Sequence, residues 1–178
     1  MDEIFGKYRQ DFNEIRRLCL ICHGLDLSTS TISTSSLKLS DASNVTLQNL
    51  VSSTLLHLAI AIRTNIYQKS IKPSHTPLKR SAWLYYDEEL VERPATLKQV
   101  CDKIIHADTF SKSIYPKGFL DYEDRVGTQI RGTEHNRKAW TMNLVLDLLA
   151  EDILVMVDEI EEQSPEETTF GNTHECVG

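Results

Sequence analysis

The stretch Cys101-Asp-Lys-Ile-Ile-His106-Ala-Asp108 holds the residues best spaced for chemistry. Asp102 and His106 stand four apart, so on a helix they share a face. An aspartate one turn before a histidine can fix the ring's tautomer for general-base work. Lys103 brings a cation beside them. The catalytic candidates are therefore His106, as acid/base, with Asp102 and Lys103. The plainer account of the same residues is a solvated histidine at a helix end.

A second group surrounds a polar turn in "RGTEHNRK". Arg131, His135, Arg137 and Lys138 are candidates for nucleic-acid binding, because a hairpin tip can enter a groove and meet phosphates. Its plainer account is a soluble turn. A third group, Cys19-Leu-Ile-Cys22-His23, has the C-x-x-C-H spacing of haem c attachment and of half a zinc site. A zinc site needs four ligands, and the remaining candidates are Cys101, alone on a helix, and His174 with Cys176 near the end of the chain. Cys19 falls on an apolar helix face, and free cysteine packs as a small hydrophobe. These cysteines are expected in the core, with no metal and no cofactor. The seven glycines are scattered singly and form no phosphate cradle.

The elements that would position these groups are mostly helical. Phe12, Ile15, Cys19 and Cys22 follow a 3.6-residue period and predict a helix from about Glu3 to Cys22, closed by Gly24. The Ser/Thr-rich run 27–40 predicts a linker. Asp41 or Ser43 would cap a long central helix carrying Leu47, Leu50, Val51, Leu55, Leu58 and Ile62 to about Gln68. Residues 71–94, with their prolines and "SAWLYYDEE", predict an irregular connection whose aromatics pack as a lid. The third helix spans about 95–108, with Leu97, Val100, Cys101, Ile104 and Ile105 inward. Ile130 and Trp140 flank the turn at 132–138, a hairpin signal. A last helix starts near Asp147 and buries Leu149, Ile153, Met156, Val157 and Ile160. The expected fold is mainly α: a helical bundle with a β-hairpin inserted before the C-terminal helix. Residues 1–162 would form one domain, and 163–178 a disordered acidic tail.

Composition fits such a domain. The chain has 178 residues, with 40% hydrophobic and 25% charged residues. Its net charge of −7 is uneven: nine acids and no Lys or Arg follow Ala150, leaving 17 acids against 19 bases before it. A near-neutral body neither demands nor excludes a nucleic-acid partner. The apolar run Leu55–Ile62 is too short to span a bilayer, and "MDEIFGKYRQDF" lacks a signal-peptide core. The expectation is a cytoplasmic protein with reduced thiols and no membrane partner.

A long apolar helix ending in arginine, "LAIAIRTNIY", followed by "DKIIHAD", resembles the HEPN superfamily of helical proteins of bacterial toxin–antitoxin and abortive-infection systems. The resemblance implies a helical fold, homodimers and, in active members, metal-independent ribonuclease activity at a cleft shared by two subunits. His106 carries over as the catalytic histidine. The arginine that should precede it by four to six residues is missing, since Cys101 stands five before it. That departure favours a non-catalytic defence or toxin–antitoxin protein acting through a partner protein or a second copy of itself. The alternatives are a metal-independent HEPN-type ribonuclease using His106, and an RNA-binding module using the 125–138 hairpin.

Overall fold

A computed structural model describes residues 12–34, 38–72, 75–87, 91–114 and 126–163. The chain order among them is α1 (Phe12–Thr34), α2 (Asp41–Tyr67), β1 (Ala82–Tyr86), β2 (Glu92–Pro94), α3 (Leu97–Ile105), β3 (Thr109–Ile114), β4 (Val126–Thr133), β5 (Ala139–Leu144) and α4 (Leu146–Gln163). The strands form one antiparallel sheet in the order β2-β1-β5-β4-β3.

The expected helical bundle is thereby corrected: this is a mixed α/β fold, with five strands where one hairpin was foreseen. The physical cause lies in two strands that hide their period. "AWLYY" places Ala82 and Leu84 in the main core, while Trp83 packs on the opposite face against Val145 and Leu148. A strand apolar on both faces shows no alternation. In "TFSKSI" the inward positions are Phe110 and Lys112, paired with Ile130 and Thr128, so a charge stands where an apolar residue would mark the strand. The hairpin itself is present as β4 and β5, with Gly132 opposite Trp140.

Along the inner face, Ala82 and Leu84 meet Leu144 and Met142, which meet Thr128 and Ile130. Helices pack on this face: α1 lies against α2 and α4, and α3 lies against α2. Ile15, Leu55, Leu58, Ile62, Met142, Leu149 and Ile153 are all buried in the same cluster. Beyond Trp83 and its apolar neighbours the outer face carries polar pairs, with Gln129 Nε2 donating to Asn143 Oδ1 and Asn143 Nδ2 donating to Glu92 Oε1.

The helix boundaries differ from expectation in instructive ways. α1 passes through Gly24 and absorbs residues 27–34 of the expected linker. Gly24 is exposed, and nothing lies within 4 Å of where a Cβ would sit; with no reversal required there, glycine does not stop the helix. Ser40, not Asp41 or Ser43, caps α2, its hydroxyl accepting from the Ser43 N–H at 3.2 Å. α2 ends in a Schellman pattern: the Ser70 N–H reaches the Asn65 carbonyl and the Lys69 N–H the Ile66 carbonyl. Lys69, at φ 63°, occupies the left-handed position usually given to glycine. Among the described residues α2 alone is long and apolar enough to cross a membrane by length and composition. The expected tail lies outside the described residues, apart from Gln163 in α4.

Both sheet edges are guarded. β2 is three residues long and ends in Pro94. On β3, Lys112 turns inward and is half-buried, its ammonium pushed down by burial and partly restored by the Asp26 charge on α1.

Candidate active site

α3 owes its start to a capping box. The Thr96 hydroxyl accepts from the Gln99 N–H, and Gln99 Oε1 accepts from the Thr96 N–H at 2.9 Å. Leu97, Val100, Cys101 and Ile104 face the core. Gln99, Lys103 and His106 recur at i, i+4 and i+7 and form one wall of a cleft of about 810 Å³. Thr133, Glu134 and His135 of the β4–β5 hairpin form the facing wall, with Leu84, Tyr86 and Trp140 also lining it.

Lys103 organises this cleft. Its residue is only 9% exposed, and its ammonium sits 4.5 Å from the Trp140 ring centroid and 5.2 Å from that of Tyr86. Nζ donates to Glu134 Oε1 at 2.5 Å, and the Tyr86 hydroxyl donates to the same oxygen at 3.0 Å. The Lys103 hydrogen bond, followed by that from Tyr86, holds the Glu134 carboxyl below its ordinary range. One latch thus ties α3 and β1 to the hairpin. The hairpin turn runs from Glu134 to Arg137, whose N–H donates to the Glu134 carbonyl at 2.8 Å. Arg137, at φ 66°, takes the left-handed position. Gly132 allows the close approach, since a Cβ there would run into the Trp140 ring and lie 2.9 Å from the His106 carbonyl.

His106 is the C-cap residue of α3, with its side chain exposed at the mouth of the cleft. His135 enters from the hairpin. Asp102 lines the same cleft but is held by other partners: Arg63 Nε at 2.8 Å and Lys98 Nζ at 2.8 Å. Its carboxylate anchors α3 to α2, and no hydrogen bond joins it to His106 among the described residues. The arginine that ends the apolar helix therefore does arrive beside "DKIIHAD", on the aspartate.

The four hairpin candidates separate. His135 lines the cleft, while Arg137 is exposed in the turn. Lys138 Nζ lies 4.6 Å from the Tyr86 ring centroid. Arg131 belongs to the outer face, where it lines a second cavity of about 530 Å³ with Tyr85, Asp87 and Asp108. Glu134, Trp140 and Gln99 are site residues that the sequence reading misses, and Tyr86, which it packs in the aromatic lid, lines the cleft; of these, Gln99 is accessible through the Thr-x-x-Gln capping signature.

The other cysteine-bearing segment goes into the core. Cys19, Cys22 and Cys101 are buried, and burial pushes each thiol up to about 12. Thiols so shifted supply no free thiolate nucleophile near neutral pH. The chain matches no protein-family model, no curated protein and no solved structure.

Proposed function

We propose that the cleft binds RNA and cleaves it without a metal. The observation that carries this reading is that two histidines, His106 and His135, line one cleft together with Lys103. Histidine ordinarily titrates near neutrality and serves equally as proton acceptor and donor. One imidazole takes the proton of a ribose 2′-hydroxyl as its oxygen attacks the adjacent phosphorus. The other delivers a proton to the departing 5′-oxygen, giving a 2′,3′-cyclic phosphate and a free 5′-hydroxyl. In this reading Lys103, now held on Glu134, is the cation that opposes charge on the phosphate; one oxyanion-hole donor is worth about 2.7–4 kcal/mol. This scheme asks nothing of an arginine at position 101 and leaves Asp102 a positioning role through Arg63.

The test is cleavage of end-labelled RNA in EDTA by the wild type, His106→Ala and His135→Ala. Loss in each variant with unchanged melting supports the reading. A wild type that leaves RNA intact defeats it.

Partner binding is a second reading, favoured by α2. Val45, Leu56, Ile60 and Tyr67 fall on its outer side with exposures of 54, 36, 46 and 84%. No charged residue occurs between Asp41 and Arg63, and the Arg63 side chain is turned to Asp102. Self-association that disappears in Ile60→Asp would support a defence-type protein working through a second copy. A concentration-independent monomer would remove that support.

A further inference from the structure

We propose that Glu134 is a built-in competitor for the RNA phosphate: Lys103 and Tyr86 form a seat for one oxyanion, and a phosphodiester enters by exchanging with this carboxylate. The inference rests on the cleft being an RNA site. Within that site it adds Tyr86 to the phosphate-binding groups and makes Glu134 a gate. The seat is visible in what it holds. Lys103 Nζ and the Tyr86 hydroxyl both donate to one oxygen, Glu134 Oε1, at 2.5 and 3.0 Å. Two donors from separate elements, α3 and β1, converge on a single anionic oxygen, as they would on an oxygen of phosphate. Lys103 and His106 stand three apart on α3 and are neighbours on its surface, and His135 follows Glu134 in the chain. The seat therefore lies on the two walls that carry the histidines.

Of the two charged partners, the carboxylate is the one able to leave. The Lys103 side chain is 11% exposed and lies against the rings of Trp140 and Tyr86. The Glu134 side chain is 38% exposed. Its backbone is fixed independently, the Glu134 N–H donating to the Lys138 carbonyl and the Arg137 N–H to the Glu134 carbonyl. Rotation of the side chain toward water thus empties the seat without unfolding the hairpin. Lys138, which already favours the charged form of Glu134, keeps a cation near the released carboxylate.

Charge decides what can replace it. A buried ammonium left without an anion is costly, so a neutral ligand cannot take the carboxylate's place. A phosphodiester spreads one negative charge over two non-bridging oxygens, as a carboxylate does over its own two. The exchange leaves the charge at the seat unchanged. The ligand class is an oxyanion, and the RNA backbone supplies one at every linkage.

The experiment measures Kd by fluorescence anisotropy for a 2′-O-methylated oligo-U, which lacks the attacking hydroxyl and stays intact, on the full chain. Glu134→Gln keeps an acceptor for both donors and removes the competing charge. It should bind about tenfold tighter than the wild type, the worth of one charged hydrogen bond no longer contested. Lys103→Met keeps the aliphatic stem beside the rings and abolishes the seat. Adding Glu134→Gln to it should improve binding by less than about twofold. A general relief of repulsion would instead give the same gain in both backgrounds, and that result overturns the proposal. So does equal or weaker binding by Glu134→Gln, the outcome for a purely structural ion pair, which leaves the RNA site standing. Carbon-13 NMR of the Glu134 carboxyl in the wild type gives a reading that does not depend on how well Lys103→Met folds. Its titration should move up toward the ordinary glutamate value when the oligomer binds, and an unmoved titration overturns the exchange. Binding by Glu134→Gln where the wild type shows none would support the gate in its strongest form. No binding by either chain overturns the RNA reading and this inference together.

Discussion

Two of the described helices carry cysteine and histidine within one or two helical turns of each other. In α1, Cys19 and Cys22 enter the core and His23 turns toward α4, its Nε2 3.9 Å from Glu151 Oε1. In α3, Cys101 enters the core and His106 ends the helix at an open cleft. As sequence, α1 holds the better-known motif. What separates the two is the surface brought opposite. α1 faces other helices, while α3 lies beside a hairpin that supplies Glu134, His135 and Trp140. A histidine's chemistry depends on such neighbours more than on the motif containing it.

The largest effect should come from the two histidines. Under the ribonuclease reading, His106→Ala lowers the cleavage rate by about 10²–10⁴-fold, whereas His23→Ala leaves it unchanged. Equal loss in both would mean the comparison is drawn at the wrong place. Next come the cysteines, where the segments should behave alike. Cys19→Ser and Cys101→Ser each place a hydroxyl in an apolar core and should cost about 1–3 kcal/mol in denaturant titrations. A serine tolerated without loss at either position would show that its thiol is not packing as core.

A smaller effect concerns acid. The folded Glu134 carboxyl is held below the ordinary glutamate value of about 4.3. Its contribution to the latch is therefore complete above that value and is lost as pH falls through it and on through the folded one. Tryptophan fluorescence should report a transition in that acid window. Glu134→Gln should lack it, and an identical transition in the variant would assign it elsewhere. The smallest effect is a gain: Arg137→Gly and Lys69→Gly each remove a left-handed non-glycine residue and should add up to about 1 kcal/mol. Arg137→Gly should do so without altering cleavage, because its side chain lies outside the cleft.

The legibility of this molecule tracked how local each signal was. The buried stripe of α2 and that of α4 through Leu149, Ile153 and Val157 were readable because one helix's period suffices. The β4–β5 hairpin was readable from a polar turn between two apolar stretches. β1 and β3 were not, since Trp83 finds its apolar surroundings at the start of α4 and Lys112 its counter-charge on α1. In the site, His106 and Lys103 stood out by residue type. The burial of Lys103 depends on aromatics supplied by β1 and β5, and Asp102 was assigned to the wrong partner because Arg63 reaches it from a helix almost 40 residues earlier. Those facts belong to the tertiary fold and leave no trace in the local pattern.

The guarded edges of the sheet bear on how this protein behaves when crowded. An incoming strand would meet only three residues on one side, the last of them a proline lacking an N–H. On the other it would have to lie along a strand that turns an ammonium inward. Fibrous, strand-by-strand growth is discouraged at both ends, which lets an antiparallel sheet keep a polar face open to water without inviting its own kind to extend it.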